Sequence, residues 1–409
     1  MSSNFNQAIT TLKNWVKIKS VKSEPSENAP FGENNKIMLE KALLDAQNLG
    51  FETKNYQGYA GEVIFGSGED KDGLAILCHL DVVPEGDLSA WIYPPYDAVE
   101  KDGVIYGRGA VDNKGAGAIC LYALKDLKDE GFIPSRKIKL IFGCDEESGM
   151  ECIEYYKKVA VMPELGFSPD SEFPVIYAEK GILHIEYVFD KNMQIESIVG
   201  GTATNVVPDK ASVTLIGEKE VSFYGKTAHG STPECGDNAI KKALEYLVSK
   251  GLFSRQTYEF LFNGRLFEKF VDESGKLTFS PNVITTDKTN IYIKVDVRYP
   301  VHYTFEEVKK VVEKVGRFNC IEHKKPLYVD KNGFLCKTLM SVYKKHTGSN
   351  SEAVTSGGGT YARTLKKGVA FGPIFDGGAV CHVPNEKVKI SDLEKAFNIY
   401  KDAIKELSK

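Results

Sequence analysis

The chain has 409 residues, 42% of them hydrophobic, and its 56 acidic and 52 basic side chains leave a formal charge of −4. That length exceeds the usual size of one domain, so two domains are expected. No long basic patch marks a nucleic-acid partner, no apolar run is long enough to cross a bilayer, and residues 1–15, MSSNFNQAITTLKNW, lack the pattern of a secretory signal. A cytoplasmic protein with neither nucleic acid nor membrane as partner is expected.

In chain order, Phe5, Ile9, Leu12, Trp15 and Val16 recur at helical spacing over residues 5–18, and Ile37, Met38, Ala42 and Leu43 mark a second helix near 35–48. LAILC, 74–78, is short and wholly apolar, as a central strand should be. A helix over 114–131, the strand KIKLIFG at 137–143 and a helix over 148–159 follow. This alternation predicts an α/β fold with a mostly parallel sheet covered on both faces. From 184 to 225 the runs HIEYVFD, ASVTLIG and EVSFYG read as antiparallel strands, followed by a helix at 237–249, the strand NIYIKVDVRY at 290–299 and a helix at 305–316. These predict an inserted α+β domain over 184–327. The helix FLCKTLMSVYKK, the strand KGVAFG and the helix SDLEKAFNIYKDAIKEL then return to the first pattern. The first domain is thus expected to comprise 1–183 and 328–409.

Several fragments carry metal-ligand chemistry. His79 and Asp81 in CHLD stand where a strand runs out, the usual place for ligands in α/β sheets. The pair reads either as a ligand with its orienting carboxylate or as a surface histidine beside a turn. Asp112, in GRGAVDNKG, either caps a helix or bridges two cations with its two oxygens. GCDEESG delivers Glu146 and Glu147 to the same sheet edge, GFSPDSEFP supplies Asp170, and GAVCHVPNE supplies His382. Two histidines with several carboxylates suit a dinuclear hydrolytic site of zinc type better than an oxygen-only calcium or magnesium site. Like charges crowded as in Asp145-Glu146-Glu147 raise one another's pKa, and a cation would relieve that. Asp145 reads as a hydrogen-bonded structural residue.

HLDVVP, GRGAVDNKG, DEESG and FSPDSEFP, with TATNVVPDKA, GKTAHGSTPECGDNA, VDVRYP, SGGGTYAR and CHVPNE, resemble the ordered motifs of the M20 metallopeptidase family, subfamily A. The similarity is to its dipeptidase branch, called PepV-like or Xaa-His dipeptidase-like. The resemblance implies a zinc-peptidase catalytic domain with an inserted lid. It implies that His79 and Asp170 hold one metal, Glu147 and His382 the other, and that Asp112 bridges them. Asp81 would orient His79, Glu146 would be the general base, and His229 would stabilise the oxyanion. Asn205 and Arg298 would contact substrate, and Gly358, Gly359 and Thr360 read as a backbone nest for a peptide carboxylate. The implied cofactors are two divalent ions, zinc or alternatively manganese or cobalt. The implied substrate is an unblocked dipeptide, and the implied assembly a monomer or a lid-mediated dimer.

Other readings of the same letters compete. GKT at 225–227 lacks the Walker A glycine, since position 220 is Glu220. Cys78, Cys120, Cys144, Cys152, Cys235, Cys320, Cys336 and Cys381 form no CxxC pair and read as reduced packing residues. Arg363 reads as a support for its loop. His184, His302, His323 and His346 read as surface or satisfied residues. A succinyl-diaminopimelate desuccinylase, an aminoacylase or a carboxypeptidase would use similar metal chemistry. A two-domain metal- or peptide-binding protein would need neither Glu146 nor both ligand sets.

Overall fold

The computed structural model describes residues 3–378 and 381–409. The chain divides into two compact units: Met1–Tyr177 with Val329–Val354 and Thr360–Lys409, and Ala178–Tyr328 with Thr355–Gly359. The short 355–359 segment, which the sequence reading leaves inside the first domain, groups with the second unit.

The first unit is α/β. Its sheet runs in the order Glu52–Tyr56, Ala60–Phe65, Ile138–Gly143, Leu74–His79, Leu165–Ser168, Lys367–Phe371, Val175–Glu179. The central strands, from Ile138–Gly143 to Lys367–Phe371, are mutually parallel, and the flanking pairs are antiparallel. Leu74–His79 and Ile138–Gly143 are buried along their whole length, which explains their unbroken apolar sequence. Among the helices of this unit, Lys114–Asp129 is buried without a break from Lys114 to Leu124. Ser3–Val16 and Ile390–Leu407 pack against it. Ser3–Val16 buries the apolar stripe expected of it, from Phe5 through Leu12 to Val16.

Register positions the chemistry. His79 and Gly143 are the last residues of adjacent parallel strands and stand opposite each other, while the neighbouring strand ends at Ser168. CHLD, GCDEESG and FSPDSEFP therefore leave the sheet at one carboxyl edge, where an α/β sheet places its ligands.

The second unit holds an antiparallel sheet in the order Val221–Tyr224, Lys210–Leu215, Ile195–Gly200, Thr278–Thr286, Asn290–Tyr299, Gly181–Asp190, Phe318–Lys324. Side chains alternate between its faces. Leu183, Ile185, Tyr187, Ile293, Val295 and Val297 join a core with Ile240, Leu244 and Leu247 of helix Ala239–Ser249 and Val308 and Val312 of helix Phe305–Val312. The opposite face carries His184, Asp296 and Arg298. No helix among the described residues is long and apolar enough to cross a membrane.

Candidate metal centre

Two groups of ligand atoms meet at the carboxyl edge of the first unit's sheet: His79, Asp112 and Asp170, and Asp112, Glu147 and His382. Within each group the atoms lie within 4.8 Å of one another. Asp112 belongs to both. Its Oδ1 is 2.9 Å from His79 Nε2 and its Oδ2 is 3.0 Å from His382 Nε2. Asp170 Oδ1 lies 3.4 Å from His79 Nε2, and Glu147 Oε2 lies 3.1 Å from His382 Nε2. Two ligands about 2.0–2.2 Å from one ion stand roughly 3–3.5 Å apart, so these spacings and the imidazole-plus-carboxylate donors fit a pair of divalent cations sharing one carboxylate. His79 is buried and His382 is exposed, with a left-handed backbone at φ 62°.

Electrostatics point the same way. Burial would lower the pKa of His79, but Asp170, Asp112 and Asp81 drive it well above the ordinary value. His382 is likewise raised, to about 11, because Asp112 and Glu147 outweigh its burial. Burial and then Asp112 push Glu147 up to about 7, against the opposing pull of His382. Burial, followed by the charges of Asp170, Glu147 and Asp81 acting against His79, raises Glu146 well above an ordinary carboxyl. The cluster is thus rich in negative charge held by protons, which divalent cations would replace.

The supports of these ligands join distant segments. His79 Nδ1 meets the backbone carbonyl of Asp81 at 3.0 Å, whereas the Asp81 carboxylate is 3.5 Å away. The carboxylate of Asp81 instead accepts the amide hydrogens of Glu146 and Glu147, each at 3.1 Å. Asp81 orients His79 chiefly through its main chain and fixes the two glutamates through its side chain. Asn113 donates to Asp170 Oδ1 at 3.0 Å and to Pro169 O at 2.6 Å, and the Asp112–Asn113 peptide is cis. Glu386 accepts from the amides of Val111 and Asp112 at 3.2 and 3.3 Å, while Arg108 donates to its other oxygen at 2.7 Å. Tyr361 lies edge-on to His79 and its hydroxyl sits 2.8 Å from Cys152 Sγ. A Cβ on Gly143 would come within 2.2 Å of that hydroxyl, so only glycine fits there. Asp145 is buried, pairs with Lys22 at 2.8 Å and accepts from Glu151 N, as a structural residue would. Asn113, Glu386, Arg108 and Tyr361 were not singled out by sequence reasoning. The adjacency of Asn113 to Asp112 and of Glu386 to the His382 motif was the signal available.

The remaining candidates lie mostly in the second unit. His229 is exposed, and its Nδ1 accepts from Ser231 N at 3.2 Å and pairs with Ser231 Oγ at 2.7 Å. An acceptor Nδ1 puts the proton of the neutral ring on Nε2. Asn205 is exposed, and its carbonyl accepts from Gly230 N at 2.7 Å. Arg298 is buried and donates through Nε and Nη2 to the two oxygens of Asp296, at 2.7 and 2.9 Å, and through Nη1 to Gly357 O at 3.3 Å. Gly358 N–H is taken by Ser356 Oγ at 3.0 Å, and Thr360 Oγ1 accepts from Ala362 N at 3.1 Å. Gly358 and Gly359 belong to the second unit and Thr360 to the first, so no single unit holds all three of the expected nest residues. His302, His323 and His346 are satisfied by Glu273, Tyr299 and Asp402.

The α/β sheet edge and the double ligand group define a hydrolase of dinuclear type, and comparison gives the family. Residues 75–406 match peptidase family M20/M25/M40, and the chain belongs to it as a metallopeptidase. It is 33% identical to YtjP of Bacillus subtilis (strain 168), which carries a provisional dipeptidase name, over 98% of this chain and 97% of that protein. A Staphylococcus epidermidis protein with a similarly provisional dipeptidase name is 34% identical over 98% of this chain and 96% of its own. The fold is shared with an M20 family metallo-carboxypeptidase of Sulfolobus solfataricus, at a TM-score of 0.66 and 19% identity with both chains fully covered.

Proposed function

We propose that the chain is a metal-dependent dipeptidase that hydrolyses the peptide bond of unblocked dipeptides. The observation that carries the reading is the Asp112 carboxylate shared by two ligand groups, with the Glu146 and Glu147 amides clamped beside it by Asp81. The dipeptidase names of relatives matched along nearly the whole chain support the substrate class.

His79 and Asp170 would hold one ion, Glu147 and His382 the other, with Asp112 between them; zinc is the proposed metal, and manganese or cobalt would suit the same donors. Two such ions supply electrophilic activation of the carbonyl and of water. Glu146 accepts a proton from the attacking water and returns it to the departing amine. His229 donates its Nε2 hydrogen to the developing oxyanion. Asn205 contacts the substrate, Arg298 anchors its terminal carboxylate, and Gly358, Gly359 and Thr360 line that end. The proposed location is the cytoplasm, which eight free cysteines support.

A matched substrate panel tests the reading: a free dipeptide, its amidated and N-acetylated forms, a tripeptide and N-succinyl-diaminopimelate. The free dipeptide should give the highest kcat/KM, and Glu146→Gln should cut its turnover about 10²-fold or more while keeping the metals. Preference for the succinylated compound would reassign the chain as a desuccinylase, preference for N-acetyl amino acids as an aminoacylase, and indifference to a blocked amine as a carboxypeptidase.

A further inference from the structure

Arg298 stands next to a row of polar and charged side chains that crosses the second unit's sheet. Strand pairing sets Ser280 opposite Asp296, Asp296 opposite His184, and His184 opposite Glu322. Directly paired residues share a face and lie close enough to interact. His184 Nδ1 is 2.9 Å from Glu322 Oε2, and His184 Nε2 is 3.5 Å from Asp296 Oδ1. Asp296, itself fully buried, takes Arg298 in a two-pronged ion pair. Lys324, paired like Arg298 with Ile182, lies 3.2 Å from Glu322, and Glu186 and Lys294 form the next pair along the same face.

Asp296 is also a floor for the loops that carry the other proposed substrate residues. A Cβ on Gly230 would meet Asp296 Oδ2 at 2.3 Å and Asn205 O at 3.0 Å, so the turn after His229 rests directly on this carboxylate. Ser280 Oγ donates to Asn282 Oδ1, and Asn282 in turn donates to Thr204 O, each at 2.7 Å, which ties the segment before Asn205 to the same face.

The chemistry of His184 follows from its neighbours. Both ring nitrogens face carboxylates, which only accept hydrogen bonds, so the ring is best satisfied as an imidazolium. Its Nε2 is buried without a hydrogen-bond partner among the described residues, at ion-pair distance from Asp296. When His184 is charged it offsets Asp296 and leaves the Arg298 cation uncompensated for an incoming anion. When His184 is neutral, Asp296 cancels Arg298.

We propose that His184 is a positioning residue that acts on Arg298 through Asp296, and that its proton sets how strongly Arg298 holds a substrate carboxylate. This rests on the reading of Arg298 as the carboxylate anchor. Burial alone would lower the imidazole's pKa, but Asp296 and Glu322 raise it above the ordinary 6.5. The anchor is therefore strong below that raised value and weakens as pH rises through it.

The experiment measures KM for a free dipeptide and for its C-terminal amide from about pH 6 to about pH 10, on the metal-loaded full chain. The two substrates share the same amine and the same catalytic groups, so their KM ratio isolates the carboxylate. In the native protein the ratio of free to amide KM should rise at least about fivefold across the range, the lower end of typical coupling between two sites. His184→Gln should hold the high-pH ratio at every pH, with metal content and kcat unchanged. Glu322→Gln, which removes one carboxylate from the ring, should move the transition to lower pH. Arg298→Ala should abolish the preference for the free carboxylate; if it does not, the anchor reading fails. If Arg298→Ala abolishes it while His184→Gln still follows the native pH profile, the anchor stands and the present proposal is overturned. Should circular dichroism show His184→Gln unfolded, Glu322→Gln decides, and an unmoved transition refutes the role of the row.

Discussion

Glu386 holds two segments together with one carboxylate. Its Oε1 takes the amides of Val111 and Asp112, some 275 residues away, and its Oε2 takes the guanidinium of Arg108. Both partners of that ion pair are buried, at 1% exposure each, so removing one charge strands the other. Breaking a buried pair from one side costs about 3–5 kcal/mol, and loss of a ligand's hydrogen-bonded support costs roughly 10–100-fold in metal affinity. Glu386→Gln should therefore lower the thermal midpoint and weaken metal binding in a competition titration, although it touches no metal. Adding Arg108→Met should restore part of the stability and none of the lost affinity. Unchanged affinity in Glu386→Gln would show that the loop of Asp112 holds its shape unaided. The contrast with Asp112 explains what the sequence could reveal. A candidate ligand announces itself by side-chain type at a strand end, as His79, Glu147 and Asp170 do. Glu386 and Asp296 act on backbone amides or on a buried arginine, and only the fold shows which ones. Asp81 lies between: its importance was legible, but its carboxylate grips the glutamate amides more closely than it does the ring of His79.

Among the elements, helix Ala239–Ser249 shows why an apolar period was enough. Its stripe of Ile240, Ala243, Leu244 and Leu247 is buried, and its start is set by Asn238, whose Oδ1 accepts from Ile240 N and Lys241 N at 2.9 and 3.2 Å. Asn238 Nδ2 also donates to Pro281 O at 2.7 Å, joining the helix to the strand beside it. Asn238→Ala loses the cap and that link together, so a destabilisation of about 1–2 kcal/mol is expected, at the upper end for a cap. Equilibrium denaturation followed by far-ultraviolet circular dichroism measures it, and a loss below a few tenths would mean that the helix needs no cap. The strand Thr278–Thr286 was not legible, because Pro281 cannot donate to a sheet and normally argues against an interior strand. Here the register shifts between Pro281 and Val283, and the strand continues on both sides of the interruption. The antiparallel pair Glu52–Tyr56 and Ala60–Phe65 escaped for another reason. The first of these strands buries none of its residues fully, so it carries no apolar alternation to read.

At the scale of the whole chain, the proposed metal ligands and the two hydrophobic cores are distributed unequally. His79, Asp112, Glu147, Asp170 and His382 all belong to the first unit, while the second unit has a core of its own built on Leu183, Ile293 and Leu244. A ligand stabilises only the structure that forms its site, by about 2.7 kcal/mol when its free concentration is a hundred times Kd. Metal removal should therefore act on the first unit alone, and the crowded carboxylates left behind add to the loss. Both tryptophans, Trp15 and Trp91, lie in that unit, so intrinsic fluorescence reports its unfolding selectively. Chelation should lower the fluorescence midpoint by roughly 5–10 °C, the shift such a free energy gives in a unit of this size. Hydrogen exchange of the Asn290–Tyr299 amides, central in the second unit's sheet, should stay the same below that midpoint. Asp112→Ala, which removes the carboxylate common to both ligand groups, should place the midpoint near the chelated value and make it insensitive to added zinc. Equal losses in fluorescence and in exchange protection would mean that the units unfold together, and a zinc-responsive Asp112→Ala protein would remove Asp112 from the centre of the site.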